Sequence, residues 1–344
     1  MRPFKAALVG LLGEEVPEWV RGALRDEGID FVQHECHNRE ELEQYAAEAD
    51  LVWVWGSRVI SGDRLDCLKK CGAILRTGTG TDNVPEVEAT AMNILVTNTP
   101  EAVAEEVSDH AIALLFSVIR QTAAQDALVR AGVWERRIHK TRWHLRGSTL
   151  GVLGFGHIAR LLVRKMSQFE LKILVHDPYI SPERVTQAGA EPASFERVLA
   201  ESDFVSVHVP LKPDTRHLIG EQALRSMQPH AVLINTARGP VVDEVALIRG
   251  LTEGWIGGAG LDVCEQEPIA KDNPLLKLDN VVLTPHTAGY SDIFYDCFWR
   301  YSVETVLAIA NGFWPRSPLN RRQITPRWPL ADTEWPAEPR RYAP

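Results

Sequence analysis

Residues 149–177, TLGVLGFGHIARLLVRKMSQFELKILVHD, leave the chain few folds to choose from. The apolar run 150–153 reads as a short buried strand. Gly154, Gly156 and Ala159 follow at G-x-G-x-x-[GA] spacing and open a helical pattern at Ile158, Leu161 and Leu162. A second strand, 171–175, runs up to Asp177. In such a unit the first glycine permits a tight turn, the second lets the backbone approach a pyrophosphate, and the small third residue lets helix lie close on strand. The helix N-terminus then offers unpaired N–H groups to the anion. Asp177, about twenty residues past the turn, can accept both ribose hydroxyls of NAD and would repel the 2′-phosphate of NADP. The glycine spacing alone also fits a tight turn in another α/β protein. Strand before, helix after and acid at the next strand end together point to a dinucleotide.

At 344 residues the chain is long enough for two domains with separate cores, and its 45% hydrophobic and 24% charged content is ordinary for a globular protein. A net charge of -9 argues against general nucleic-acid binding, which needs a basic excess. Five cysteines (Cys36, Cys67, Cys71, Cys264, Cys297) are odd in number and lack a paired C-x-x-C framework, so reduced thiols in a cytoplasmic setting are expected rather than disulfides. His34, Cys36 and His37 have no second cluster at zinc spacing, so no metal is expected. No basic stretch followed by an apolar one opens the chain, and its longest apolar stretch, 111–119, is too short to span a bilayer.

Residues 1–100 alternate strands (6–12, 29–32, 51–55, 73–75) with helices (16–26, 40–47, 64–70), as a small parallel α/β domain does. Its last loop, Arg76-Thr-Gly-Thr-Gly-Thr-Asp-Asn83, can present the N–H groups of Thr79 and Gly80, with Arg76 adding a planar cationic fork suited to a carboxylate. A structural turn with a surface arginine fits the same residues. A long helix, 101–121, suits a crossing between domains or a subunit interface, and the basic segment 122–147 carries Trp134 and Trp143 as packing or dimer contacts. Beyond Asp177 come strands at 204–209, 231–234, 256–261 and 281–283 and helices at 195–200, 221–227 and 244–252. Polar residues mark the strand ends: His208, Asn235 to Arg238, Asp262 and His286. In an open parallel sheet, ligands gather at those ends. A helix at 291–311, aromatic in its first half, is expected to return to the N-terminal domain. From Pro315, frequent Pro and Arg without apolar period predict an extended arm or disordered tail.

Three groups stand out beyond the cofactor turn: Arg238 in NTARG, Glu267 in EQEP and His286 in TPHTAG. Moving a hydride between an alcohol and a ketone requires a proton donor or acceptor at the oxygen, and histidine has the side-chain pKa nearest working pH. A neighbouring carboxylate favours the imidazolium and fixes the ring. An arginine can grip a substrate carboxylate while polarising the adjacent carbonyl. Singly, these fit a loop histidine, a turn acid and a salt-bridge partner. Jointly, they supply what reduction of a 2-oxo acid needs.

The blocks GTGTDNV, GFGHIA, HVPLKPDTRHLI, NTARGPVVDE, AGLDVCEQEP and TPHTAG give the chain, from about residue 51 to about residue 311, a resemblance to the D-isomer-specific 2-hydroxyacid dehydrogenase family. DPY and TPHTAGYSD are most similar to its branch of C-terminal-binding corepressors and their bacterial relatives; phosphoglycerate dehydrogenase is a neighbouring branch. Arg76 matches that branch's substrate arginine. Gly289 stands where the corepressors carry tryptophan, so a preference for bulky apolar oxo acids does not carry over.

The resemblance implies two Rossmann-like lobes, a doubly wound NAD-binding domain (101–289) inserted in a smaller flavodoxin-like substrate-binding or lid domain (1–100 and 290–320), with 321–344 as a Pro/Arg-rich arm or tail. It implies NAD as cofactor, a small 2-oxo or 2-hydroxy acid substrate, and a homodimer formed through 101–147. Arg238, Glu267 and His286 would be catalytic, and Arg76, Thr79, Gly80 and Arg238 would hold substrate. Cofactor contacts would fall on Thr79, Gly154, Phe155, Gly156, His157, Ile158, Asp177, His208, Val209, Pro210, Thr215, Thr236, Ala237, Arg238, Asp262, His286 and Gly289. An NADH-sensing, corepressor-like binding protein and D-3-phosphoglycerate dehydrogenase are the alternatives.

Overall fold

The computed structural model describes residues 3–11, 13, 15–56, 59–134 and 144–335. Trp143 and the last residues of the arm lie outside them. The chain divides into two compact units, Met1–Val103 with Asp292–Pro344, and Ala104–Ser291.

In the first unit, β1 (Lys5–Leu8), α1 (Glu18–Asp26), β2 (Asp30–Gln33), α2 (Arg39–Ala46), β3 (Leu51–Val54), β4 (Ala73–Arg76), α3 (Glu86–Ala91) and β5 (Leu95–Asn98) follow one another. The strands pair in parallel in the order β2-β1-β3-β4-β5, the flavodoxin-like order. β3 is buried along its whole length, which is why it reads as a continuous apolar run rather than an alternating one. β5, LVTN, is equally buried but half polar, and no strand was expected there. The segment expected as a helix at 64–70 is a 3-10 helix, Gly62–Cys67. It closes with short-range bonds, Arg64 N to Ser61 O at 3.0 Å and Leu68 N to Leu65 O at 3.1 Å. Its apolar residues suffice for one edge of the core and not for a full helical stripe.

The second unit opens with α4 (Ala104–Arg120) and α5 (Thr122–Arg130); the start of the helix expected at 101–121 is instead a 3-10 turn, Pro100–Val103. There follow β6 (Thr149–Leu153), α6 (His157–Met166), β7 (Lys172–His176), α7 (Pro182–Gln187), β8 (Glu191–Pro192), α8 (Phe195–Glu201), β9 (Phe204–Val207), α9 (Glu221–Ser226), β10 (Val232–Asn235), α10 (Glu244–Glu253), β11 (Gly258–Leu261) and β12 (Val281–Leu283). The seven strands are parallel in the order β12-β11-β10-β9-β6-β7-β8. The order reverses between β6 and β9, the switch point at which open α/β sheets bind ligands. α4 lies close on β11 because Gly260 has no side chain: a Cβ there would sit 3.0 Å from Leu114 Cβ and 2.9 Å from Ile234 Cδ1.

α11 (Phe294–Ala310) belongs to the first unit and packs on it through an aromatic seam, Trp299 lying 5.5 Å from Trp53 and 4.4 Å from Trp55 between ring centroids. β13 (Phe313–Trp314) and β14 (Ala331–Glu334) pair in parallel after it. Of the two expectations for the segment between them, extended arm or disordered tail, it takes the first. It runs along the edge strand β5, where Leu319 N donates to Val96 O (2.9 Å) and Val96 N to Asn320 Oδ1 (3.0 Å). Asn320 is 1% exposed and also donates to Ile94 O at 2.9 Å. Trp328 fills the space over Gly72, where a Cβ would come within 1.9 Å of its ring. Backbone pairing, one amide side chain and one indole anchor the arm, and none of these leaves an apolar period in the sequence.

Candidate active site

The glycine turn joins β6 to α6 in the second unit. Gly154 has φ 87°, and a Cβ on it would lie 2.8 Å from the His208 carbonyl oxygen at the end of β9. Both the backbone angle and the close approach demand glycine there. The position a Cβ of Gly156 would take is open space, Ala159 is fully buried between helix and strand, and no side chain caps the N-terminus of α6. Those features suit a pyrophosphate. Phe155 is 1% exposed, so only its backbone can face a ligand; His157 is exposed and Ile158 half-buried. Asp177, just past β7, accepts from Phe155 N at 2.7 Å and from Tyr179 N at 2.9 Å. The turn and Asp177 are thereby one hydrogen-bonded assembly.

The next strand ends add the remaining groups. His208 shares a hydrogen bond with Ser206 Oγ (2.8 Å), and burial pushes its imidazole from the usual 6.5 down to about 4. Thr215 ties its own loop, donating to Pro210 O at 2.6 Å and accepting from Lys212 N at 2.8 Å, while Val209 Cγ1 packs against the Gly154 turn. Thr236 Oγ1 is buried without a hydrogen-bond partner among the described residues, as a hydroxyl awaiting a cofactor would be. Ala237 N donates to Asn235 Oδ1 at 3.0 Å, fixing the loop that carries Arg238.

The depressed His208 value sets a pH dependence. Between about pH 4 and 6.5 the unfolded chain binds this proton and the folded one does not, so stability rises with pH across that window and is lost as pH falls through it. In His208→Gln the dependence of the urea midpoint on pH is expected to flatten over that range; an unchanged slope would place the acid sensitivity elsewhere.

Glu267 and His286 meet in this unit, and Arg238, 48 residues before His286, is near enough for its charge to lower the Glu267 carboxyl. Gly239 allows it: a Cβ there would sit 1.8 Å from the Cys264 carbonyl oxygen, so the loops after β10 and β11 touch backbone to backbone. Arg238 Nη1 donates to Ala237 O at 2.7 Å. Glu267 Oε1 accepts from Cys264 N at 3.1 Å, and its Oε2 lies 2.7 Å from His286 Nδ1. Burial alone would raise the Glu267 carboxyl, but the hydrogen bond and charge of His286, the Cys264 amide and the charge of Arg238 outweigh it, and the group titrates below the usual carboxylate value. Burial pushes the Cys264 thiol up to about 11, which disfavours the thiolate.

His286 has φ 55°, left-handed backbone that is unusual for a residue with a side chain. Asp262, 2% exposed at the end of β11, holds that conformation. Its carbonyl accepts from His286 N (2.8 Å), and its carboxylate accepts from Thr287 N and Ala288 N (both 2.9 Å) and from Thr284 Oγ1 (2.6 Å). Gly289 is half-buried just beyond. Sequence reasoning placed Asp262 among the cofactor contacts and missed Thr284 and His110, whose Nε2 lies 2.9 Å from Thr284 Oγ1. Only TPHTAG, with its threonine two residues before the histidine, hinted at the former.

Arg76, Thr79 and Gly80 lie in the first unit. Arg76 donates to the Thr77 carbonyl and, at 3.4 Å, to Asn83 Oδ1, so it braces its own loop. Gly78 has φ 103°, its N–H donates to Thr99 Oγ1 at 2.7 Å, and Asn98 Nδ2 donates to Thr79 O at 2.7 Å. Thr79 Oγ1 is a second buried hydroxyl without a partner among the described residues. Asn98 and Thr99, at the end of the unforeseen β5, are functional-loop supports that the sequence did not disclose.

The profile described as D-isomer specific 2-hydroxyacid dehydrogenase, NAD binding domain, matches residues 112–288. A glyoxylate reductase of Thermococcus litoralis is 40% identical over 274 residues, covering 77% of this chain and 82% of that protein. The chain belongs to the D-isomer-specific 2-hydroxyacid dehydrogenase family. It is an NAD-dependent oxidoreductase acting on CH–OH groups, and residues 112–288 are its NAD-binding domain. A D-3-phosphoglycerate dehydrogenase of Mycobacterium leprae is 36% identical over 89% of this chain but only 56% of its own length. Among solved structures, a glyoxylate reductase from Paecilomyes thermophila has a TM-score of 0.85 at 27% identity, covering 94% of this chain and all of that one. D-lactate dehydrogenase from Aquifex aeolicus, complexed with NAD and lactic acid, has a TM-score of 0.77 at 27% identity, covering 93% and 97%. Among the described residues no helix is long and apolar enough to cross a membrane, and no group of three or more His, Cys, Asp or Glu side chains could hold a metal ion.

Proposed function

We propose that this dehydrogenase reduces a small 2-oxo acid to the D-2-hydroxy acid, with His286 as the proton donor. The observation that carries the reading is the 2.7 Å bond between His286 Nδ1 and Glu267 on a loop that Asp262 fixes. With Nδ1–H given to the carboxylate, Nε2 is the ring atom left to exchange a proton with the substrate oxygen. Bound NADH supplies the hydride to C2. His286 delivers the proton that completes the hydroxyl, and Glu267 steadies the imidazolium before transfer. Arg238 grips the substrate carboxylate and steadies the developing alkoxide. In the first unit, Arg76 and the amides of Thr79 and Gly80 are the groups suited to a carboxylate.

For the cofactor, the reading assigns the pyrophosphate to Gly154, Phe155, Gly156, His157 and Ile158 and the ribose to Asp177. The nicotinamide side falls to His208, Val209, Pro210, Thr215, Thr236, Ala237, Asp262, Gly289 and the Thr79 hydroxyl. The buried, partnerless oxygens of Thr236 and Thr79 support it. Domain roles follow the same line: 101–289 for NAD, 1–100 with 290–320 for substrate. A homodimer through 101–147 suits α5, which buries none of its residues, and Trp134, which is 83% exposed. A cytoplasmic setting suits the five free cysteines.

The test is NADH oxidation with glyoxylate, hydroxypyruvate, phosphohydroxypyruvate and branched 2-oxo acids. Glyoxylate and hydroxypyruvate are expected to turn over fastest, in keeping with the glyoxylate reductases among the relatives. Phosphohydroxypyruvate as the preferred substrate would shift the assignment to phosphoglycerate chemistry. No turnover on any acid, with NADH-dependent self-association, would overturn the enzymatic reading in favour of a sensor.

A further inference from the structure

We propose that His110, on α4, is a positioning residue that sets the conformation of the His286 loop through Thr284 and Asp262. The inference rests on the role given to His286 above and extends it to a side chain that neither the sequence motifs nor the strand-end geometry mark.

The argument is proton bookkeeping on one hydroxyl. Thr284 Oγ1 has a single proton, and the 2.6 Å bond to Asp262 Oδ1 uses it, because a carboxylate can only accept. The 2.9 Å contact between Thr284 Oγ1 and His110 Nε2 must therefore run the other way, with His110 donating from Nε2–H. His110 Nε2 also lies 3.5 Å from Asp262 Oδ1 itself. The chain of donors is thus directed: imidazole to hydroxyl, hydroxyl to carboxylate. The carboxylate, in turn, collects the Thr287 and Ala288 amides, and the Asp262 carbonyl takes the His286 amide. The His110 side chain is 24% exposed and that of Asp262 1% exposed.

Such a chain has a definite task at this place. His286 is held at φ 55°, a backbone state that persists only where its surroundings over-determine it. The loop's amides impose it, and they are oriented by a carboxylate whose own direction is fixed by Thr284 and His110. α4 is the right support, since it packs directly on β11 through Gly260 and on β10 and β12. Removing the imidazole leaves the buried hydroxyl and carboxylate to reorient, and the His286 ring moves relative to the substrate oxygen. Proton transfer is sensitive to that displacement, whereas the glycine turn and Asp177, at the ends of β6 and β7, are not part of the His110–Thr284–Asp262 chain.

The experiment compares His110→Leu, His110→Gln, Thr284→Val, Thr284→Ser and the double variant His110→Leu/Thr284→Val, with His286→Ala in the same series. kcat and the KM for NADH are measured with glyoxylate or whichever 2-oxo acid turns over fastest, and folding is checked by thermal midpoint. His110→Leu and Thr284→Val are expected to lower kcat at least tenfold, with a much smaller change in the KM for NADH, whose pyrophosphate and ribose contacts lie outside this chain of bonds. Gln places an amide N–H near the position of Nε2 and Ser keeps the hydroxyl, so His110→Gln and Thr284→Ser should recover most of the turnover. The double variant should lose no more than the worse single one, because both act through the same bond. Wild-type kcat in His110→Leu, or losses that multiply in the double variant, would overturn the inference. An active His286→Ala would sink the underlying assignment of the proton donor; an inactive one beside fully active His110 variants would sink the positioning role alone.

Discussion

His286→Ala is expected to lower kcat for 2-oxo acid reduction by about 10²–10⁴-fold, the usual contribution of a positioned general acid. NADH binding, followed by quenching or energy transfer in a fluorescence titration, should stay within a few-fold of wild type, because the glycine turn and Asp177 are built on β6 and β7. The residue sits at φ 55°, so alanine brings backbone strain as well as loss of the ring. His286→Asn controls for this: asparagine tolerates the left-handed region but cannot serve as an acid near neutral pH. Equal losses in the two variants would attribute the effect to the imidazole. Undiminished turnover in both would remove His286 from the reaction. Glu267→Gln should produce a smaller loss, since the amide can still meet Nδ1 but no longer favours the imidazolium.

Arg238→Lys should lower kcat/KM for the oxo acid by about 10²–10³-fold, the cost typical of deleting one donor aimed at developing negative charge. The substitution keeps the charge but loses the planar fork that can hold a carboxylate and reach the neighbouring oxygen at once. In this chain the guanidinium also donates to Ala237 O at 2.7 Å, a bond that pins the head group. An ammonium cannot meet all of these demands together. Steady-state kinetics with varied oxo acid, beside an NADH titration, would separate the outcomes. A loss confined to NADH affinity, or none at all, would contradict a substrate-binding role.

Much of the frame was legible in one dimension because its causes are local. Gly154 is glycine for its positive φ and close approach to His208, and both follow from a tight turn between a strand and a helix. Asp177 stands where a strand end puts it, and continuous apolar runs gave most strands of both sheets. The misses have causes of a different kind. β5 is four residues long, two of them polar, and its buried Thr97 and Asn98 look like loop residues until their partners are known. Beyond Pro315 the composition allowed an extended arm or a disordered tail; what makes it an arm, edge pairing with β5, Asn320 and Trp328 over Gly72, leaves no period in the sequence. Thr284 and His110 were invisible because 174 residues part them and nothing in either segment signals the other.

By itself the sequence determined the two α/β sheets, the nucleotide turn and the chemical types needed at the strand ends, since periodicity, glycine spacing and acid placement act within a few residues of chain. Only the tertiary structure decided how those types are arranged. It brought the loops after β10 and β11 together at Gly239, so that the charge of Arg238 acts on Glu267, turned His286 to φ 55° on the amides that Asp262 gathers, and set His110 behind Thr284. Hydrogen bonds between residues far apart in the chain depend on packing, and packing is a property of the whole fold rather than of any stretch of it.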